Sequence, residues 1–239
     1  RENLLANSSQ YDYPPKPLYE LMGLEYLLLR DANYWPDFPY SAQTAINLHQ
    51  RVEPKTNLSG VIAIDQQFMS LLVAATGPVD IPENNTTITA QTTVQSFRDA
   101  FNIRDDQTVQ DWLQNRKAFL LTFATAIIDK VQSDFGAVDP VAFIKNMHAA
   151  FSSRHIQLYM VDPYETAVLD EIHWDGRLEN PPNQDFLLVL DSNFGYNKAN
   201  MFIERDYSYT LALNLGSPSD ANLEIQYNHT NLPTDADIC

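Results

Sequence analysis

Arg116 is the residue whose placement raises the sharpest chemical question. It falls on the apolar stripe of a long predicted helix, about Thr108 to Val131, built from Val109, Trp112, Leu120, Phe123, Ile127 and Val131 and widened by Leu113, Phe119 and Ile128. A guanidinium on such a stripe needs an anionic partner or a route to solvent. It either snorkels or pairs with a structural carboxylate, or it points inward as an anion clamp. A second chemistry-bearing stretch is Asp191, Asn193, Asn197 and Lys198, in a polar loop after a predicted strand. That loop suits a carbohydrate-binding or hydrolytic site, where paired carboxylates need a defined separation. It suits equally well a strand-end turn in which Asn and Gly take positive φ.

The remaining reactive side chains are sparse. His49 shares a helical stripe with Ala45 and Ile46 and reads as a satisfied side chain, while His148 reads as surface. Five His and one Cys do not assemble a Ser-His-Asp or Cys-His arrangement. The one Cys, Cys239, cannot form an internal disulfide, and thiols cannot supply four metal ligands. Its remaining uses are an incidental thiol or a pairing with another chain.

The totals set bounds. In 239 residues the chain carries 15 Lys and Arg against 31 Asp and Glu, a formal net charge of −16. Such a chain repels phosphate backbones, and no Lys/Arg run makes a basic patch, so nucleic acid is not an expected partner. No apolar run reaches the ~20 residues of a membrane span. The first residue is Arg1, and no signal peptide is visible, which suggests a processed product or a portion of something longer. Asn7, Asn57, Asn84, Asn85 and Asn228 begin N-x-[ST] tripeptides, a weak pointer to glycosylation.

The elements that would position these residues centre on Gly60 to Pro82, GVIAIDQQFMSLLVAATGPVDIP. Val61 to Asp65 is dense in β-branched residues and predicts a buried strand. Asp65 caps a helix with Phe68, Leu71, Leu72 and Ala75 on one face, Gly77-Pro78 stops it, and Val79 to Ile81 starts a second strand. Strand, helix and strand in that order are the unit of an α/β layered fold. Before it, a helix is expected at Leu18 to Leu24, a strand at Glu25 to Arg30, and a helix at Ala42 to Val52 capped by Ser41. After it come helices at Val94 to Phe101 and Thr108 to Val131. Asp139-Pro140 and Asp162-Pro163 are two start signals of one kind, Asp as cap and Pro in the first turn. They flank a strand at Ile156 to Val161. Asp185 to Leu190 predicts another buried strand. Met201 to Glu204, Tyr207 to Leu215 and Leu223 to Tyr227 predict strands, the last two as a hairpin.

Several long motifs occur in a fixed order: YPPKPLYE, LRDANYWPDFPYSA, GVIAIDQQFMSLLVAATGPVDIP, NRKAFL, RHIQLYMVDP, HWDGRL and DFLLVLDSNFGYNKANMFIERDYSYTLAL. Together they resemble a bacterial cell-surface family, domain of unknown function 4012, over nearly the whole chain. In that family a membrane anchor and an Asn/Glu/Arg/Gly-Gly-Phe segment precede this region. The resemblance therefore implies a body lacking its N-terminal strand, with an anchor in the missing region and the strand supplied by unseen sequence or another chain. A weaker similarity reaches the LytR-CpsA-Psr enzymes, which transfer lipid-pyrophosphate-linked glycopolymers onto cell walls. Gly77-Pro78-Val79 stands where those enzymes carry Gly-Gly-Val, Ser96-Phe97-Arg98-Asp99 resembles their Arg-bearing stretch, and Asn115-Arg116-Lys117 keeps one Arg of an Arg-x-x-Arg-Gln helix. Arg30-Asp31 echoes an early Arg-Asp pair.

What this implies is a three-layer α/β/α sandwich over residues 1–205 followed by a β-rich segment at 206–239. It also implies a candidate pyrophosphate site, with Arg30, Arg98, Arg116 and Lys117 as cations and Asp31, Asp37 and Asp99 as holders of a divalent metal. Asp31 and Asp37 have a plainer use as caps of backbone N–H groups around Trp35 and Phe38. Three functions follow. The first is an extracytoplasmic, membrane-anchored or surface-exposed envelope protein acting as a structural or interaction module on a degenerate version of the fold. It needs no cofactor, and its partners are other envelope proteins or a glycopolymer. The second is a phosphotransferase on lipid-pyrophosphate-linked glycopolymers, which would need Mg2+. The third is a carbohydrate-binding module.

Overall fold

The computed structural model describes residues 11–81, 86–101, 108–133, 139–179, 186–194, 199–214, 216 and 219–230. In chain order these form α1 (Lys16–Met22), a 3-10 turn (Leu29–Tyr34), α2 (Phe38–Val52), β1 (Gly60–Ile64), α3 (Gln66–Thr76), β2 (Val79–Ile81), β3 (Thr86–Ile88), α4 (Ala90–Phe101) and α5 (Val109–Ser133). Then follow α6 (Pro140–Ser152), β4 (Ile156–Met160), α7 (Pro163–Glu171), a second 3-10 turn (Ala199–Phe202), β5 (Ile203–Ala212) and β6 (Asp220–His229). Two compact units result. One comprises Arg1–Leu5 with Leu28–Glu179, the other Ala6–Leu27 with Asn180–Cys239.

In the first unit four Asp residues start helices by accepting backbone N–H groups. Asp37 takes Tyr40 N at 3.1 Å, Asp65 takes Phe68 N at 2.8 Å, Asp139 takes Val141 N at 2.9 Å and Asp162 takes Tyr164 N at 2.9 Å. Three of these caps match the sequence expectation. The fourth corrects it, because α2 begins at Phe38 on Asp37 and not at Ala42 on Ser41. Pro39 sits in the first turn, where its missing N–H costs nothing, so the helix reaches back past Ser41. Ser41 lies buried inside the helix, and its hydroxyl donates to Trp35 O at 2.8 Å.

The core of this unit is Val73, Val79, Ile81, Ile88, Phe97, Phe123 and Ile127. It lies where α3, α4 and α5 close over the β2–β3 pair. Phe97 meets Phe119 and Phe123 edge-on at 5.3 and 5.1 Å between centroids, the preferred approach of two ring quadrupoles. Gly77, at φ +84°, ends α3, and the ammonium of Lys130 on α5 donates to the Pro78 carbonyl beside it. The expected α5 stripe holds at Phe119, Phe123, Ile127 and Val131, which line the core or pack on it, whereas Leu120 and Ile128 face solvent. The other face of α5 is also partly apolar, so periodicity alone drew the buried stripe too wide.

The stretch from Gly60 forms strand, helix and strand as expected, but β1 and β2 do not share a sheet. β1 pairs antiparallel with β4, placing Ile62 opposite Leu158, and β2 pairs antiparallel with β3. The described strands form three separate two-stranded antiparallel sheets, so the protein is mixed α/β. Burial of β1 is the main correction. One face, Val61, Ala63, Gln157 and Tyr159, turns toward α2, where the Tyr159 hydroxyl donates to Gln43 at 2.8 Å. On the other face Ile62 is 67% exposed and Ile64 52%. A β-branched run is buried on both faces only when layers cover both, and the outer side of β1 is left open at Ile62 and Ile64.

Two further expected strands differ. Glu25 to Arg30 is not a strand. Asp31 accepts Leu28 N at 3.1 Å and starts the 3-10 turn, which bends the chain before it can extend. In the second unit residues 186–190 carry no strand pairing, and Phe186 and Leu190 are exposed. Their apolar run predicts burial only if a neighbouring strand accepts it. The hairpin is realised, with β5 as one continuous strand from Ile203 to Ala212 paired along its length with β6.

Phe123 is fully buried at the meeting point of three helices. Phe123→Ala should therefore lower the unfolding free energy by about 3–5 kcal/mol, through lost transfer energy and a cavity. Ile62→Ser, at an exposed site, should change it by about 0.5 kcal/mol or less. Urea denaturation of both variants checks the contrast, and equal losses would mean that the core lies elsewhere.

Candidate functional site

The best-formed polar cluster joins the start of α2 to the segment after α7. Asp37 uses one carboxylate oxygen to cap α2 and the other to accept Leu178 N at 3.1 Å. Phe38 N donates to Gly176 O at 3.4 Å. Gly176 sits at φ +64°, and a Cβ there would lie 2.6 Å from the Gln157 side chain and 3.0 Å from the Phe38 Cβ, so a glycine suits this close approach. Asp175 is buried, accepting Arg177 N and Arg177 Nε at 3.1 Å each. Arg177 also lies 3.3 Å from Asp170. The Asp175 hydrogen bond holds the guanidinium charged by pushing its pKa further up, against the opposing effect of burial and with lesser help from the charges of Asp170, Asp175 and Asp37. The motifs WPDFP and HWDGRL are thus two halves of one clasp.

A second pair ties the ends of β1 and β4. His155 Nδ1 lies 2.7 Å from Asp65 Oδ2, and Asp65 N donates to His155 O at 3.2 Å. The other oxygen of Asp65 caps α3. This fixes the imidazole through one ring nitrogen. Neither Arg177 nor His155 was singled out from sequence. Their signal was present in HWDGRL and RHIQLYMVDP, but the partners are 90 residues apart for His155 and Asp65. Spacing carries no information about such a pair.

The candidate pyrophosphate residues are distributed as follows. Arg30, with Nε 3.7 Å from Asp31 Oδ1, lies in the 3-10 turn, and Asp31 caps that turn. Asp37 belongs to the clasp. Arg98 and Asp99 are exposed on the last turns of α4, where Asp99 accepts Gln95 Nε2 at 2.7 Å. Arg98 follows Phe97, so it leaves the core that Phe97 enters. Position 116 stands seven residues before Phe123 on α5, about two turns along the same face. The side chains of Arg116 and Lys117 lie outside the described residues. The three carboxylates expected to hold a metal have structural uses, and no group of three or more His, Cys, Asp or Glu among the described residues is arranged to hold one.

In the second unit Asp191 forms an ion pair with Arg205 and accepts the Tyr227 hydroxyl at 2.9 Å. Asn193 donates to Asn200 at 3.3 Å. Asp191 therefore pins its segment to the β5–β6 hairpin. Asn197, Lys198, Asn7, Asn84, Asn85 and Cys239 lie outside the described residues.

Residues 4–101 match the model of a family described as Protein of unknown function (DUF4012). No curated protein and no solved structure matches the chain. No helix among the described residues is long and apolar enough to cross a membrane.

Two outcomes follow from these clusters. Asp37→Ala removes a helix cap and the tie to Leu178, and should cost about 1–2 kcal/mol in a denaturation series. Donation to Asp191 holds the Tyr227 pKa above the ordinary phenol value. A raised folded-state pKa means the contact stabilises fully below the unfolded value, near 10, and is lost as pH rises through the folded one. In an alkaline absorbance titration, Tyr227→Phe should remove one tyrosine that ionises above the ordinary phenol range. Asp191→Ala should move that ionisation to lower pH, and no movement would show that Asp191 is not its cause.

Proposed function

We propose that the chain is a structural and interaction module of the cell envelope, working outside the cytoplasm. The observation that carries this reading is the outward apolar face of the β1–β4 pair, where Ile62 and Ile64 stand exposed opposite Leu158 and Ile156. Solvent-facing isoleucines on the outer face of a strand pair suit a covering layer brought by another chain. A strand added at an edge of the pair would widen it toward the central sheet of an α/β/α sandwich. The structural uses of Asp31, Asp37, Asp99 and Asp191 support a module over an enzyme. Other envelope proteins are the favoured partners, with a glycopolymer as the second class.

The competing reading is a phosphotransferase on lipid-pyrophosphate-linked glycans, in which Arg30, Arg98, Arg116 and Lys117 would bind the pyrophosphate with Mg2+. The experiment that separates them incubates the purified chain with a polyprenyl-pyrophosphate-linked oligosaccharide and Mg2+. The module reading expects no pyrophosphate-bond cleavage above the protein-free rate. Cleavage that Arg98→Ala reduces by about 100-fold or more, the scale expected for losing a charge-stabilising group, would overturn it.

A further inference from the structure

We propose that residues 186–190 are a strap that closes over the apolar face of the β5–β6 hairpin, with Asp191 as its latch. The device lies wholly within the second unit and does not depend on what the β1–β4 pair meets. The register divides the hairpin into two unlike faces. Arg205, Tyr207, Tyr209 and Leu211 stand opposite Tyr227, Ile225, Leu223 and Ala221, and directly paired residues share a face. Glu204, Asp206, Ser208 and Thr210 stand opposite Asn228, Gln226, Glu224 and Asn222 on the other face. The first face is mainly aromatic and aliphatic, yet Tyr207 and Tyr227 are each 51% exposed and Leu211 44%. A lone two-stranded hairpin is marginal in water, so such a face gains from a cover.

The segment before the hairpin is already fastened to that face. Asp191 pairs with the Arg205 guanidinium and accepts the Tyr227 hydroxyl at 2.9 Å. Arg205 and Tyr227 are directly opposed, at one end of the apolar face. Two residues further on, Asn193 donates to Asn200 at 3.3 Å, in the 3-10 turn that leads into β5. These two ties set a direction. Traced backward from Asn193 to Asp191, the segment passes from the turn onto the hairpin, antiparallel to β5. Continued at the rise of an extended chain, about 3.4 Å per residue, it brings Val189 level with Tyr207 and Ile225, and Leu187 level with Tyr209 and Leu223. The two-residue period turns Asp191, Val189 and Leu187 to one side, and the Asp191 side chain faces the hairpin. Burial shows the start of this alternation. Val189 is half-buried, while Leu188 and Leu190 on either side of it are exposed.

Composition suits the same role. Residues 186–190, Phe-Leu-Leu-Val-Leu, are wholly apolar, so the strap carries no carboxylate onto the face in a chain of net charge −16. Among the described residues it pairs with no strand, so its apolar side chains have no place in a sheet. The latch is made but the cover is not complete, because Leu187 is still 50% exposed. A segment with few buried contacts opens and closes at little cost. Closed, the strap takes the face out of water. Open, it leaves Tyr207 and Leu211 to an incoming apolar surface, so the latch sets access to them.

Thiol cross-linking of the full chain reads this closure. Cys239, the one native Cys, is first replaced by Cys239→Ser. Val189→Cys with Ile225→Cys then places two thiols on facing sides of the closed strap. Val189→Cys with Glu224→Cys places the second thiol on the far face of the hairpin. With a short bismaleimide and about 1 μM protein, the first pair should be linked within one chain at least about 10-fold faster than the second, because closure holds its thiols at high effective concentration. Asp191→Ala should slow the first pair by about 10-fold, the scale of a lost charge-assisted contact. If that variant loses its strand signal in circular dichroism, Asp191→Asn, of the same shape, replaces it. Equal rates for the two pairs overturn the proposal. So does a first pair whose rate ignores the loss of Asp191, or whose product is a linked dimer of chains.

Discussion

Sheets of two strands cannot bury themselves, and that constraint shapes every layer of this protein. Each of the three strand pairs offers two faces, and each face must find a helix or remain wet. β2–β3 is three residues long and survives because α3, α4 and α5 close over it. Its Val79, Ile81 and Ile88 lie under Phe97 and Phe123, and together these residues are the best-buried set in the first unit. β1–β4 is longer but is covered by α2 on one side. The β5–β6 hairpin is longest of all and shows the most apolar surface. The order of burial therefore follows helix coverage, not strand length or hydrophobicity.

Local chemistry was legible where it acts over a few residues. The Asp-Pro starts at 139 and 162, the cap at Asp65, the stop at Gly77 and the hairpin of Tyr207 to Tyr227 are read from residues within one turn of each other, and the structure has each of them. Pairing between distant segments was not legible. The run at 61–65 looks the same whether one face or two are covered, so the sequence overstated the burial of Ile62. Residues 186–190 have the composition of a central strand, and composition does not say whether a neighbour exists. The α2 boundary failed for a subtler reason. Ser41 and Asp37 are both good caps, and Pro39 between them decides in favour of the earlier one.

The candidate site shows the same division. Asp31 and Asp37 carry two readings, metal holders or caps, and both accept backbone N–H groups, Asp31 from Leu28 and Asp37 from Tyr40 and Leu178. Arg177, by contrast, is unremarkable in sequence because its meaning depends on Asp170 and Asp175 arriving from a helix end and a buried turn. The clasp also explains why an apparently loose, proline-bearing segment, WPDFP, is fixed. Its backbone is hydrogen-bonded to the far end of the same unit, so it behaves as part of the core edge.

An acidic excess usually weakens a fold by self-repulsion, yet many of these carboxylates act at short range as acceptors. Asp37, Asp65, Asp139 and Asp162 each sit at a helix N-terminus, where the backbone supplies partial positive charge and unpaired N–H groups. Asp175 and Asp191 meet guanidinium groups. On the hairpin the remaining carboxylates are sorted to one face. Negative charge is thus placed where it stabilises, or where it marks the side of the molecule that stays in water. The apolar sides left over are on β1, where Ile62 stands exposed, and on the hairpin, where Tyr207 and Tyr227 stand exposed on the face turned from Glu204, Asp206 and Glu224.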